Sequence, residues 1–342
     1  MKTLLKSLSL LCVCALLICA LPFSVSALTI YSGDFGFEID TYEKTATLVD
    51  YKGSDSIVSV PEMYRSFPVT VIAQSAFSGN TSIEEVLIPA SAETIEQEAF
   101  KGCSSLTTID IPSTVTSLGR GICMDCTSLE SATVNTTKAK LPDNFFAGCT
   151  NLESVQLSDS ITQIGTSAFS ACTSLNDLSF LNNVSVLGES AFYKNGFTDI
   201  EIPEEITSLP YFSFAYSETL QNVIVPASVT FIHPNAFSGS DNVIINCYYD
   251  SYAYQFALDH SIPYILLDGV LLGDTNADEN VDVADVTTIQ QFIAELAELD
   301  GIYLKAADAN GDGDVDIADA TLIQMYVAEY DTGYPIGEPI TE

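Results

Sequence analysis

Apolar positions recur along residues 76–246 with a single spacing. Aligned on one aromatic slot, the chain reads Phe77, Phe100, Cys123, Phe146, Phe169, Phe192, Phe214 and Phe237, in steps of 23 residues except for the 22 between Phe192 and Phe214. The second unit shows the full apolar pattern: Phe100, Cys103, Leu106, Ile109, Ile111, Val115 and Leu118. Ile109 and Ile111 alternate with polar neighbours, which predicts a short strand. Pro89, Pro112, Pro203 and Pro226 recur just after that strand and end it, because proline has no ladder donor. The segment around each Ala-Phe pair predicts one helical turn. A lone unit cannot bury its apolar side, whereas stacked units share a continuous core. The expected fold is a β-rich solenoid of eight units, with one short parallel strand plus a helical turn per 23-residue unit.

The same alternation sends polar side chains outward. Thr108, Asp110, Ser154, Gln156, Asp177, Asp199 and Glu201 all fall on the outer face of predicted strands. Such a sheet is a usual binding surface in solenoids, and it is equally consistent with a solvated polar face. Cys103, Cys126, Cys149 and Cys172 share one repeat position, three residues after the aromatic slot, which Asn80, Asn195, Ser217 and Ser240 fill in other units. A slot that accepts Cys, Asn or Ser reads as a ladder position occupied by buried thiols rather than as half of a fixed disulfide. The two histidines, His233 and His260, match no cysteine-bearing unit, so no Cys–His nucleophile is expected.

Units of the form AFKGCSSLTTIDIPSTVTSLG (99–119) resemble the BspA-like family of leucine-rich repeats. The resemblance covers about residues 60–267. It implies a leucine-rich-repeat solenoid, opened by a β-rich N-terminal cap over residues 28–60 and closed by a short helix and strand within residues 247–270. In that family such arrays are associated with attachment and recognition rather than with one chemistry.

Beyond the array the pattern changes. DANGDGDVDIAD, residues 308–319, places five carboxylates and two glycines in twelve residues. It fits the calcium-loop template over its first six positions. Asp308, Asn310 and Asp312 offer side-chain oxygens at loop positions 1, 3 and 5, and Asp314 its backbone carbonyl at 7. Asp316 and Asp319 follow at positions 9 and 12, with Gly313 where the chain must turn sharply. DTNADENVDVAD, residues 274–285, repeats the spacing with Asp274, Asn276, Asp278, Asn280 (backbone), Asp282 and Asp285. Here Glu279 replaces the turn glycine, which predicts a strained or weaker first loop. Each loop leads into an amphipathic stretch, VTTIQQFIAELAEL and ATLIQMYVAEY, and neither has more than a turn of helix before it. A hard cation bound by six to eight oxygens converts this repulsion into coordination, so two Ca²⁺ ions are expected.

The duplicated loop-then-helix segment, residues 271–331, closely resembles a type I dockerin. The resemblance implies a small all-α module with two Ca²⁺ loop-helix motifs, and as partner a cohesin module of a scaffoldin. It also implies cohesin-facing positions: Val283, Ala284, Gln291 and Phe292 in the first half, Ile317, Ala318, Met325 and Tyr326 in the second. These are apolar or neutral, so a more hydrophobic contact is expected than the hydroxyl and basic residues of many dockerins would make. For Phe292 and Tyr326, burial in the module's own core is the competing expectation. Residues 332–342 read as a tail.

Charge and termini complete the picture. Residues 1–27 carry Lys2 and Lys6, an apolar run and Val25-Ser26-Ala27, as a secretory signal does. Their removal leaves nine Lys and Arg against 46 Asp and Glu, a net charge of −37. Such a surface repels nucleic acid and anionic lipid. No motif for nucleophilic catalysis, phosphate binding or zinc appears, and no segment is left to house an active site. The expected protein is secreted, cell-surface or cellulosome-associated and not an enzyme. Its solenoid recognises a protein or glycan, and its dockerin docks it in polysaccharide degradation. An enzyme or accessory component of a cellulosome, or a structural spacer, is the alternative.

Overall fold

The computed structural model describes residues 28–249, 251–267, 269–276, 278, 280–299 and 301–340. The expected signal segment 1–27 and the Glu279 substitution lie outside the described residues. The chain opens with an antiparallel meander, Ile30–Ser32, Phe35–Asp40 and Thr45–Tyr51, whose last strand pairs in parallel with Phe67–Ile72. From there every coil stacks in parallel on the one before.

The repeat length sets the register. Glu85, Thr108, Ser131 and Ser154 face one another across successive strands, and Asp199 faces Asn222. The expectation of one strand per unit needs enlarging. A second, two-residue strand follows in each coil, as at Thr94–Ile95, Ser117–Leu118, Lys140–Leu141 and Phe231–Ile232, and pairs at the same spacing with an adjacent coil, in three separate runs. The Ala-Phe segment is a run of tight turns closed by i→i+3 bonds, such as Ala76 N to Ala73 O and Asn80 N to Phe77 O, not a helix. In most turns the residue two before the aromatic slot, for example Ser75, Glu98, Asn144 or Ser167, takes positive φ to make the corner.

The phenylalanines of the slot stack into a column inside the solenoid. Phe169, Phe192 and Phe214 lie 5.5 and 5.6 Å apart with rings 3° from parallel. Where Cys123 interrupts the column, Ile122 and Phe145 occupy neighbouring slots that hold Ala76, Ala99, Ala168 and Ala191 in other coils. All three are fully buried, so volume lost at one position is restored at two others. The 22-residue step is accommodated at Gly196, where a Cβ would lie 1.9 Å from the Thr173 carbonyl oxygen. Only glycine lets the shortened chain cut that corner.

The alanine slot also predicts a stability change. Ser213 stands in it, fully buried, with its hydroxyl unpartnered among the described residues. A buried hydroxyl without a partner costs about 1–3 kcal/mol. Ser213→Ala is therefore expected to raise the stability of the array by about 1 kcal/mol, measured as an upward shift in the urea midpoint at unchanged slope.

The helix Tyr252–His260 and the strand Tyr264–Leu266 close the array. Beyond them, helices span Val283–Ile293, Gly301–Ala307 and Ile317–Val327. The helix Gly301–Ala307 exceeds the single turn expected before the second loop. Ala306 and Ala307 bury themselves, and Tyr303 packs edge-on against Tyr249 of the cap at 4.8 Å. A second, small core gathers Val286, Ile289, Ala307, Ala309, Ala320, Ile323 and Ile336. Ile336 comes from the expected tail. That segment returns across residues 270–273, with Gly337 N donating to Leu272 O and Ile340 N to Val270 O. Ile336→Ala is expected to cost this region about 2–5 kcal/mol, checked by helical circular dichroism during urea unfolding.

Candidate functional site

The acidic loops and their helices are built alike. Asp282 and Asp316 have extended backbones and act as N-caps, each accepting from the N–H two residues on, Ala284 and Ala318, at 2.6 Å. Asp285 and Asp319 reach back to the N–H of Asp282 and Asp316 at 2.8 and 2.9 Å. Each pair is a reciprocal capping box, so the carboxylates at loop positions 9 and 12 also start the helices. Sequence reading assigned these four acids to metal alone. The Asp-x-x-Asp spacing ahead of an apolar stretch carried the missed capping signal.

Asp285 and Asp319 are fully buried, and Asp274 nearly so. Asp285 accepts from the N–H of Thr275 at 2.8 Å, and Asp319 from that of Asn310 at 3.2 Å. Burial pushes the Asp285 carboxyl above its usual range, against the backbone hydrogen bonds from Asp282 and Thr275. In the second loop Asp308 accepts from Asp312 N and Gly313 N, Asn310 Oδ1 from Asp312 N, and Asp312 from Asp314 N. In the first, Asn276 accepts from Asp278 N and Asp278 from Asn280 N. Gly313 has φ of 95°, the left-handed turn assigned to it. Among the described residues, no three Asp, Glu, His or Cys side chains converge as a metal cage. The side-chain oxygens hold the loop backbone instead.

The donor set nonetheless fits a hard divalent cation. It consists of oxygens alone, drawn from carboxylates, Asn side chains and backbone carbonyls. Asp285 and Asp319 are buried and accept from backbone N–H groups; burying a carboxylate is costly, and a bound cation offsets that cost.

The assigned partner positions line the helices. Val283 and Ile317 are 63% and 62% exposed, and Ala284 and Ala318 beside them are exposed as well. Gln291, Met325 and Tyr326 are exposed and Phe292 is half-buried. Neither aromatic belongs to the small core. Phe292 borders a groove of about 510 Å³ shared with Leu304, Lys305, Asp308 and Val315. The Tyr326 hydroxyl lies over Gly337, where a Cβ would approach it to 2.2 Å.

On the solenoid, Thr108 and Ser154 share one row of neighbouring strands, and Asp110 and Gln156 the next. Glu85, Leu87, Thr108 and Asp110 border a shallow groove of about 170 Å³. Asp199 and Glu201 lie on a separate sheet. Hydrogen bonds from Thr198 and Asn222 hold the Asp199 carboxyl below its usual range. The strand expected at Asp177 does not form. Residues Ser179–Asn183 make a 3-10 turn, because Phe180 and Leu181 are buried consecutively and a strand would send one of them outward. Asp177 instead accepts from the N–H of Ser179, the first residue of that turn, at 3.0 Å.

The cysteine slot gains a physical reason. The thiols of Cys103, Cys126, Cys149 and Cys172 each donate to the carbonyl 26 residues earlier, from Phe77 O to Phe146 O. Asn195 and Ser240 make the same bond. Burial pushes the Cys103 thiol up to about 12 and raises Cys123, Cys149 and Cys172 as well. All are buried outside any disulfide, as is Cys123 of the aromatic slot. Protonated thiols of this kind are poor nucleophiles.

A parallel β-solenoid followed by a short acidic loop-and-helix region defines a class of repeat proteins. The model of the BspA type leucine rich repeat region matches in six copies over residues 70–195 and 139–251, and the chain belongs to that family. The Dockerin type I domain matches residues 272–328. Both are non-catalytic kinds of domain. Among solved structures, the chain is similar to a leucine-rich repeat protein from Bacteroides ovatus ATCC 8483 at 18% identity, covering 70% of this chain and 76% of that one with a TM-score of 0.48. It is also similar to a leucine rich cell surface protein from Faecalibacterium prausnitzii A2-165, at 20% identity over 68% and 98% with a TM-score of 0.35. A T. pallidum leucine rich repeat protein shows 22% identity over 60% and 86%, with a TM-score of 0.38. No curated protein matches the chain. Among the described residues, no helix is long and apolar enough to cross a membrane.

Proposed function

We propose that the chain is a secreted, non-catalytic binding protein in two working halves. After a signal over 1–27, residues 28–270 form a capped receptor, with the repeats at 61–246, and 271–331 form a small all-α plug followed by the tail 332–342. The plug docks the receptor onto a cohesin of a scaffoldin or surface anchor. The observation that carries this reading is the duplication itself: two acidic loops, each ending in a capping-boxed helix, lie within the dockerin match.

Two calcium ions would be held by Asp274, Asn276, Asp278, Asn280, Asp282 and Asp285 in the first loop, and by Asp308, Asn310, Asp312, Asp314, Asp316 and Asp319 in the second. The ions would supply positive charge between acids that otherwise repel. The chain's own residues do the rest. The capping boxes fix where each helix begins, and so present Val283 and Ile317 to solvent as paired apolar contacts. Gln291, Phe292, Met325 and Tyr326 flank them one to two turns further on. The matching halves allow a cohesin to be met in either of two orientations.

The test is capture of the full chain on immobilised type I cohesins. Retention in calcium and release by EDTA are expected, with Val283→Asp and Ile317→Asp together abolishing capture and either alone leaving most of it. Equal retention with and without chelator sinks the calcium-dependent docking.

A further inference from the structure

The last repeats and the cap carry an aromatic strip outside the Phe column. Tyr193 lies 5.3 Å from Tyr216 and 6.1 Å from Phe212, ring centre to ring centre. Phe212 stacks on Tyr211 at 4.0 Å. Tyr211 and Phe231 both meet the His233 ring edge-on, at 5.0 and 6.4 Å, and Phe231 continues to Tyr252 of the cap helix at 6.3 Å. These rings are not core: Tyr211, Tyr216, Phe231 and Tyr252 keep 36%, 45%, 46% and 42% of their surface exposed.

Packing of the array does not require them. Phe231 fills the outward slot of the second strand, which Ser117, Gln163 and Ser208 fill in other coils. Phe212 is at φ of 55°, in the corner that Ser75, Glu98, Asn144 and Ser167 turn elsewhere. A bulky aromatic is disfavoured in that left-handed conformation, where small or polar residues are the usual choice. Backbone strain and solvated apolar surface thus coincide at one place, and contiguous patches of this kind mark interaction sites.

The chemistry of the occupant follows from charge and ring character. A chain of net charge −35 repels nucleic acid, anionic polymers and anionic membranes. Exposed tyrosines offer flat apolar faces with hydroxyl tips, suited to a ligand with apolar faces and polar edges. Lys194 Nζ, 5.5 Å from the Tyr193 ring centre, and the His233 imidazole add donors beside the rings. Sugar rings present C–H faces and hydroxyl rims, and a linear chain laid along the solenoid axis would meet one ring after another. We propose that the strip from Tyr193 and Tyr216 through Tyr211 and Phe231 to Tyr252 binds an uncharged linear oligosaccharide. This deepens, and rests on, the reading of the solenoid as the receptor half.

The test uses the full chain in calcium, titrated calorimetrically with neutral hexasaccharides of glucose, xylose and mannose. The chain has no tryptophan, so tyrosine emission gives a second readout. Saturable binding of at least one sugar is expected. Tyr211→Ala and Phe231→Ala should each weaken it about tenfold or more with an unchanged circular dichroism spectrum. Tyr42→Ala, at an 89% exposed tyrosine of the N-terminal meander, should leave affinity unchanged. No saturable binding to any of the three sugars overturns the proposal, as does binding that both strip variants retain in full. Binding of a protein partner that both variants abolish, with no sugar bound, assigns the strip to protein and overturns it too. Each of these results leaves calcium-dependent capture by cohesin untouched, so the two readings fail separately.

Discussion

Phe192→Ala is expected to destabilise the solenoid by about 3–5 kcal/mol, the usual cost of emptying a buried phenylalanine site. The site cannot easily collapse. Phe192 is held between Phe169 and Phe214 by near-parallel stacking, and Phe197 meets it edge-on at 6.1 Å. The coils above and below are tied through their backbones, Phe169 N to Ala191 O at 3.0 Å and Phe192 N to Ser213 O at 2.9 Å. These bonds fix the coil separation and keep the cavity open. Because each coil contacts only its neighbours, the loss also weakens the coupling between the two ends of the array. Urea unfolding should therefore move to lower concentration and broaden or split. Phe192→Leu, closer in volume, should recover most of the loss. A cost below about 1 kcal/mol for the alanine variant would mean that the column does not carry the core.

Calcium removal is the second large effect. Chelation is expected to unfold residues 271–340 while the repeats stay folded. Among the described residues, seven buried apolar residues form the small core, three of them alanine, with partly buried side chains such as Leu272 and Val315 packed against it. Against it stand buried Asp285 and Asp319 and the remaining acids of the two loops. A domain of this size has little apolar burial to set against charge repulsion. An ion bound only by the folded form, at 1,000 times its Kd, contributes about 4 kcal/mol, comparable with the whole stability of such a region. Amide exchange in EDTA should rise to unprotected rates across Val283–Ile293 and Ile317–Val327 and remain unchanged across the array. Asp308→Ala with Asp274→Ala should reproduce the effect in calcium. Unchanged protection after chelation would uncouple folding from metal.

Particular residues show how far the sequence reading carried. The 23-residue period determined the register: a strand whose neighbour is the next copy of itself must pair Thr108 with Ser131, and one hydrophobic slot must stack into a column. The interchange of Cys, Asn and Ser marked a ladder position, and the structure supplies its reason, a donor for a carbonyl in the preceding coil. The spacing of oxygens in residues 274–285 and 308–319 named the candidate site. Periodicity and short spacing are local properties, and a linear pattern records them in full.

Other features depended on neighbours remote in the chain. The 3-10 turn at Ser179–Asn183 forms because Phe180 finds room against Phe169, 4.9 Å away, which no strand pattern near Asp177 contains. Ile336 enters the small core only because the terminal segment folds back on Leu272. The aromatic strip joins residues of adjacent coils to the cap helix, and their pairing appears only once the coils are stacked. What the sequence determined by itself was the repeat, its register and the acidic loops, since each is set by spacing along one backbone. What the tertiary structure decided was which exposed rings meet, which strand gives way and which segment closes the small core, because those depend on the space left between coils, and spacing along the chain does not encode it.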